Sequence, residues 1–302
     1  MTQPVEATLL FGWLMNKTNT RQSLKGAVDG LMPQEMALAC EAAGTAKAGR
    51  DAVALLVLGI LAGAFIALGA MFMTVVATGA TELPWGIAKL LGGLVFSLGL
   101  ILVIVGGAEL FTGDSLMIVA CASQRITVQS LLRAWGIIYI GNMIGAAGTA
   151  LLVFLSGQHY FSASTVGQTA LAIANAKAAL PTVQLFFLAL LCNVLVCLAV
   201  WMSFSARSTT DKVMVIVLPV TAFVAAGFEH SIANLYFLPY ALTIKAFASV
   251  EFWSAIGQAP DAYDALTVGA AVHNIAVATI GNLIGGSLLV GLVYWLVYLR
   301  PK

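Results

Sequence analysis

The sequence predicts an all-α membrane protein of six transmembrane helices, arranged as two inverted halves of three, with the second and fifth helices broken. Three observations predict it. The 302 residues are 61% hydrophobic and only 9% charged, whereas a soluble domain carries roughly 25% charged residues. Two apolar stretches are interrupted by glycine beside a carboxylate, at Gly107-Ala108-Glu109-Leu110-Phe111-Thr112-Gly113 and at Gly227-Phe228-Glu229-His230-Ser231-Ile232-Ala233-Asn234. Two signals also recur in the same order. Glu109 is echoed by Glu229, 120 residues on, and Gly141-Asn142-Met143-Ile144-Gly145 by Gly281-Asn282-Leu283-Ile284-Gly285, 140 residues on.

Taken in order, residues 1–50 read as a cytoplasmic N-terminal segment. Within it, residues 1–30 are polar and flexible, Phe11-Gly12-Trp13-Leu14-Met15 is a loosely attached tail, and 33–49 form an amphipathic interfacial helix. No cleavable signal peptide is evident. Residues 51–302 form the transmembrane domain, with spans at about 52–78, 87–122, 131–155, 183–204, 213–240 and 268–299, each near the ~20 residues that a helix needs to cross hydrocarbon. The repeats cover about 51–156 and 182–300, and a longer loop around 245–266 absorbs the 20-residue difference in offset. Three spans per half force the halves to be inverted in the membrane. The repeated Gly-xxx-Gly lets helix backbones approach closely.

Charge sets orientation. With both termini inside, 11 of the 14 Lys and Arg lie on the cytoplasmic side, and only Lys89, Lys177 and Lys245 lie outside. That is a positive-inside bias, and it supports an even number of spans. A net charge of +1 gives no reason to expect a nucleic-acid partner. Cys40, Cys121, Cys192 and Cys197 have neither metal-ligand nor disulfide spacing and read as small packing residues. No nucleophile with a base, metal cluster or phosphate loop is visible, so neither an enzyme nor a cofactor is expected.

Ionisable groups within a membrane span are costly and usually face a cavity or a transport path. Broken helices are tolerated only where the freed backbone is buried in protein or lines water. His230, at such a break, is the leading pore candidate, because histidine titrates near physiological pH. Thr112 either caps a half-helix or lies in the pore, bonded to His230 or to the permeant. Glu109 and Glu229 are expected to hold backbone or inter-repeat contacts, together with Asn142 and Asn282 of the repeated motifs. Phe96, Leu100, Leu110 and Phe223 are apolar candidates for constrictions. Lys177 is either a solvated loop charge or a cation that gathers anions at the mouth. His159 and His273 receive no role.

The two interrupted segments, with Cys192-Asn193-Val194-Leu195-Val196-Cys197-Leu198-Ala199-Val200-Trp201-Met202 and Ile280-Gly281-Asn282, resemble signature segments of the formate–nitrite transporter family. The likeness runs from about residue 30 to 300. Phe252-Trp253-Ser254-Ala255-Ile256-Gly257 and the segment from Val293 to Arg300 are most similar to the formate-channel branch, whereas His273-Asn274 is similar to the nitrite branch. The resemblance implies an aquaporin-like fold, a homopentamer with one pore per protomer, and a place in the bacterial cytoplasmic membrane among lipid. It implies that Thr112 lies on the loop breaking span 2 and that His230 is the central pore histidine. It places Phe96, Leu100, Leu110 and Phe223 at two constrictions, and Lys177 and Asn193 in the outer vestibule and central chamber. Asn-Pro-Ala is absent, which disfavours aquaporins proper. Asp114 departs from the small neutral residue usual at its position, and would repel anions or gate the loop.

The expected function is a passive or proton-coupled formate channel, in which His230 protonates or holds the anion between two apolar constrictions. The alternatives are nitrite, hydrosulfide or another small monovalent anion, and, from other classes, a neutral-solute pore or a structural membrane protein.

Overall fold

The computed structural model describes residues 30–301. The tail motif at 11–15 lies outside these residues. Among the described residues the chain is helical, in the order α1 (Pro33–Ala48), α2 (Ala52–Ala77), α3 (Trp85–Gly106), α4 (Phe111–Asp114), α5 (Ile118–Ala122), α6 (Val128–Leu155), α7 (Thr165–Ala178), α8 (Thr182–Ser205), α9 (Thr209–Ala225), α10 (Ser231–Phe247), α11 (Val250–Ile256), α12 (Val268–Gly286) and α13 (Val293–Tyr298).

The helices start where the sequence supplies caps. The Asp51 carboxylate accepts the Ala54 N–H at the start of α2, and the Thr127 and Thr267 hydroxyls do the same for α6 and α12. Each cap satisfies a backbone donor that the first turn leaves free. Five stretches are long and apolar enough to cross a membrane: Ala52–Ala77, Trp85–Gly106, Val128–Leu155, Thr182–Ser205 and Pro260–Tyr298. The span expected at 213–240, broken at the octapeptide, is two helices of 17 residues each, α9 and α10. Each is about 25 Å long, less than the ~30 Å hydrocarbon core.

Packing follows the repeat. Helix α2 packs on α6 and α3, and α8 packs on α12 and α9 in the same way, while α3 and α9 pack on each other between the halves. The glycines set how close these helices come. A Cβ on Gly141 would lie 2.6 Å from the Leu56 carbonyl, and one on Gly145 1.9 Å from that of Ile60. In the second half, Gly281 and Gly285 meet the carbonyls of Phe186 and Leu190 at 2.7 and 2.1 Å. Large apolar residues are left on the outside, and five of them, Val53, Leu152, Leu155, Leu218 and Val297, are 64–73% exposed. So wide an apolar surface suits lipid or a neighbouring subunit.

Two elements differ from expectation. Residues 33–49 do form a helix, but its face of Met36, Cys40, Gly44 and Ala48 is buried against protein, not left at an interface. Gly44, for example, sits against Met117 and Ala120. The segment before span 4 is also not a plain loop: it carries α7, and Lys177 lies in its last turn. Helix α7 is short, rich in alanine and of mixed polarity, so it gives no transmembrane signal. The loop at 245–266 holds α11 and a 3-10 turn over Pro260–Tyr263. Between α12 and α13 the backbone takes a π-helical turn over Ser287–Leu292, beside Ser115.

Two predictions follow from this packing. Gly285→Ala puts a methyl group against the Leu190 carbonyl, and should cost about 3 kcal/mol, seen as a lower thermal midpoint in detergent; Gly148→Ala, with open space around it, serves as the tolerant control. His159 is buried against Phe154, Tyr160 and Phe252 with both ring nitrogens unpartnered, and this burial lowers its pKa. The unfolded chain therefore binds the extra proton first, and stability falls as pH drops below about 6.5. Thermal midpoints measured across that range should fall less steeply for His159→Phe.

Candidate functional site: a two-ended pore path

The two breaks are built alike. Helix α3 ends at Gly107 with φ +80°, and α9 is followed by Gly227 with φ +71°. This left-handed conformation costs glycine little and other residues more. Three residues then run out to an extended residue, Leu110 in one half and His230 in the other, with φ/ψ of −109°/118° and −105°/113°. New helices start at Phe111 and Ser231.

Each break is tied down by one asparagine. Asn142 Oδ1 accepts the Phe111 N–H at 2.9 Å, while its Nδ2 donates to the carbonyls of Gly59 (2.8 Å) and Glu109 (2.9 Å). Asn282 Oδ1 accepts the Ser231 N–H at 2.8 Å, while its Nδ2 donates to the carbonyls of Ala189 (2.7 Å) and Glu229 (2.9 Å). The carboxamide has one acceptor and two donors, the set these three backbone groups require.

The carboxylates point to opposite ends, and each meets a lysine. Glu229 Oε1 accepts from Lys177 Nζ at 2.8 Å, and its Oε2 from Asn234 Nδ2 at 2.7 Å. Glu109 pairs with Lys47 Nζ at 2.6 Å and with Arg50, and Lys47 also reaches Asp114. Burial opposes the charge of Lys47, but Asp114 and Glu109 hold its pKa above the ordinary lysine value. Burial pushes the Cys40 thiol up to about 12, so it stays protonated. Sequence reasoning used Lys47 and Arg50 only to assign topology. The missed signal was Lys47 standing 130 residues before Lys177, each in the last turn of a short helix leading into a long one.

Two cavities flank the centre. One, of about 250 Å³, is lined by Phe96, Lys177, Phe223, Glu229 and His230. The other, of about 300 Å³, is lined by Lys47, Arg50, Leu100, Glu109, Leu110 and Asp114. Helix α3 starts by the first cavity (Lys89) and ends at the second (Gly107), whereas α9 starts by the second (Lys212) and ends at the first (Gly227). The halves are therefore inverted. Phe96 and Phe223 meet edge to face at 5.7 Å, and Phe223 stacks over the His230 ring at 6.0 Å.

Thr112 joins the halves. Its Oγ1 lies 2.9 Å from His230 Nε2, and both residues are buried. His230 Nδ1 accepts the Ala233 N–H at 3.1 Å and so caps α10. An Nδ1 that accepts leaves Nε2 to carry the proton of the neutral ring. The Nε2–H therefore donates to Thr112, whose own O–H remains available to donate. Asn193 lines neither cavity. Its Nδ2 donates to the carbonyls of Thr112 (3.1 Å) and Asn282 (2.6 Å), bracing one break against the other. The sequence did not reveal this inward orientation, because an asparagine in an apolar helix carries no mark of which way it faces. His273 lies apart, with Nε2 3.0 Å from Thr182 Oγ1.

Comparison with known proteins agrees with this geometry. The model of the formate/nitrite transporter family matches residues 34–296. This chain belongs to the formate/nitrite transporter family. Relatives within it include the formate channel FocA of Escherichia coli K12, 46% identical over 275 residues, covering 91% of this chain and 96% of that protein. The formate channel FocA of Haemophilus influenzae is 40% identical, covering 86% and 92%. Among solved structures, a pentameric formate channel with formate bound superposes with a TM-score of 0.79 at 46% identity, covering 82% of this chain and 98% of that one. An FNT family ion channel superposes at 0.74 and 28% identity, covering 88% and 99%.

The asparagine ties are open to direct test. Replacing Asn142 or Asn282 by Leu strands one buried N–H and two buried carbonyls, and should cost about 4 kcal/mol. Replacement by Asp should fail as well, because a carboxylate cannot donate to two carbonyls. Thermal midpoints of the detergent-solubilised protein measure both effects.

Proposed function

We propose that the protein is a formate channel or transporter of the bacterial cytoplasmic membrane, with six membrane crossings, both termini cytoplasmic and one pore in each protomer of a homopentamer. The observation that carries this reading is the buried Thr112–His230 pair between two cavities, each bordered by apolar residues and a lysine–carboxylate pair. Relatives that cover nearly the whole chain are named formate channels, and one neighbouring structure is a formate-bound pentamer. Helices α9 and α10 together would make the fifth crossing. On this reading residues 1–50 lie before the transmembrane domain at 51–302, although α1 packs as the first-half counterpart of α7.

The physical logic is dehydration. A bare anion crossing apolar constrictions loses water at a cost of about tens of kcal/mol in the limit. Lys177 and Lys47 raise the anion concentration at the two ends. Phe96 with Phe223, and Leu100 with Leu110, exclude water. Between them, the His230 Nε2–H and the Thr112 O–H replace part of the lost hydration. Because His230 Nδ1 is engaged in capping α10, the ring is suited to holding the anion by hydrogen bonding. Glu109, Glu229, Asn142 and Asn282 keep the breaks open, and Asn193 couples them. The carbon skeleton of the permeating solute is left intact, so the role is transport and not catalysis.

Uptake into proteoliposomes tests this reading with formate, nitrite, hydrosulfide and glycerol as solutes. Formate should lead. His230→Phe should lower formate flux by about tenfold, the equivalent of one buried hydrogen bond, and His230→Asn, which keeps an acceptor for the helix cap, should fold normally and also lose flux. Nitrite or hydrosulfide leading would move the substrate within the family. Glycerol leading, or His230→Asn with full formate flux, would overturn the role of the pair.

A further inference from the structure

The two ends of the path follow one plan, and one of their differences changes a hydrogen-bond donor into a titratable group. Asp114 stands 120 residues before Asn234, the offset that relates Glu109 to Glu229. In the second half, Asn234 Nδ2 donates to Glu229 Oε2 at 2.7 Å. In the first half the same place holds a carboxyl group, and it shares the Lys47 ammonium with Glu109. A carboxylate cannot donate to a carboxylate, so Asp114 can reproduce the twin's contact only by carrying a proton.

The surroundings support that state. Asp114 and Glu109 are 3% and 2% exposed. Asp114 Oδ2 and Glu109 Oε2 are buried without a hydrogen-bond partner among the described residues, although Glu109 Oε2 lies 2.6 Å from Lys47 Nζ. Among the described residues the cation paired with Asp114 is Lys47, which it shares with Glu109, while the half-exposed Arg50 pairs with Glu109. The other titratable groups facing the pair are Lys212 of α9, across the same cavity, and the thiols of Cys40 on α1 and Cys197 on α8. Helix α6 presents the Trp135 Nε1–H, bonded to the Asp114 carbonyl at 2.9 Å, and Arg133, whose Nη1 donates to the Arg50 carbonyl at 3.3 Å. Two buried carboxyl groups sharing one ammonium commonly keep one proton.

We propose that Asp114 and Glu109 hold a single proton between them and form a proton-exchange site at the α1 end of the pore, acting on the carboxylate that this end admits. The proposal rests on the formate reading above. In the exchange, the Asp114 O–H bond breaks and a new O–H bond forms on an oxygen of the anion. The electron pair stays on Asp114 as carboxylate, held by Lys47, and the neutral acid moves on towards Leu110. A hydronium ion from the solution at this end then gives its proton to the Asp114 carboxylate and leaves as water, which completes the cycle. Such a donor is needed, because His230 presents Nε2–H as a hydrogen-bond donor while its Nδ1 is engaged by Ala233. It also makes the two ends unequal, because Asn234 at the other end cannot release a proton.

The test is infrared spectroscopy of the lipid-reconstituted protein carrying isotope-labelled aspartate, followed by formate flux in proteoliposomes. The wild type should show a protonated-carboxyl band that shifts with the label and disappears as pH rises. Asp114→Asn, which installs the twin's residue, should fold, lose the band, and lose one proton-linked limb of the pH profile of formate flux. Glu109→Gln should remove the shared band as a second check. A wild type without the band, a band that survives in Asp114→Asn, or an unchanged pH profile in that variant would overturn the proposal. A band without formate flux in the wild type would sink the formate reading and the exchange step, and leave the shared proton standing.

Discussion

The structure depends on satisfying backbone polar groups where helices break far from water. An unpaired N–H or C=O at that depth costs several kcal/mol, so a break survives only with a dedicated partner. Here the partner is one asparagine per half. Asn142 and Asn282 each answer one N–H and two carbonyls. The Gly-xxx-Gly around each asparagine brings its helix close enough for the carboxamide to reach. The repeated pentapeptide is therefore one device: the glycines set the distance and the asparagine makes the bonds.

Once the breaks are fixed, the chemistry follows from what their extended residues present. Leu110 and His230 occupy equivalent positions with nearly equal backbone angles, yet one offers a hydrocarbon and the other an imidazole. The path is therefore symmetric in backbone construction and asymmetric in the side chains it presents. Glu109 and Glu229, beside them, are too costly to bury alone. The short helices α1 and α7 each deliver a lysine to neutralise them, which places a cation beside each cavity.

Much of this was legible in the sequence. The breaks show because glycine and glutamate stand out in an apolar run, and the inverted repeat shows because Glu109/Glu229 and Asn142/Asn282 keep their order. Less legible were features that depend on three-dimensional approach. Helix α7 lacks a transmembrane pattern, so Lys177 read as a loop residue. Lys47 looked like one of many cytoplasmic charges until its offset from Lys177 was set beside the geometry. Asn193 reads as a polar residue of a span, and only packing shows it turned towards the carbonyls of Thr112 and Asn282. The fifth span read as one interrupted helix, because hydropathy does not register the length of each half.

The repeat also shows where this chain departs from its own symmetry. Most equivalent pairs preserve their role: Thr127 with Thr267 as caps, Gly145 with Gly285 as close contacts, Lys47 with Lys177 as counter-charges. Asp114 and Asn234 do not, because replacing an amide by a carboxyl group exchanges a fixed donor for one that depends on a proton. A change confined to one of two otherwise matched sites cannot be a general requirement of the fold, since the twin does without it. It belongs to what is particular to the α1 end, where the path is lined by two carboxyl groups, two lysines and an arginine.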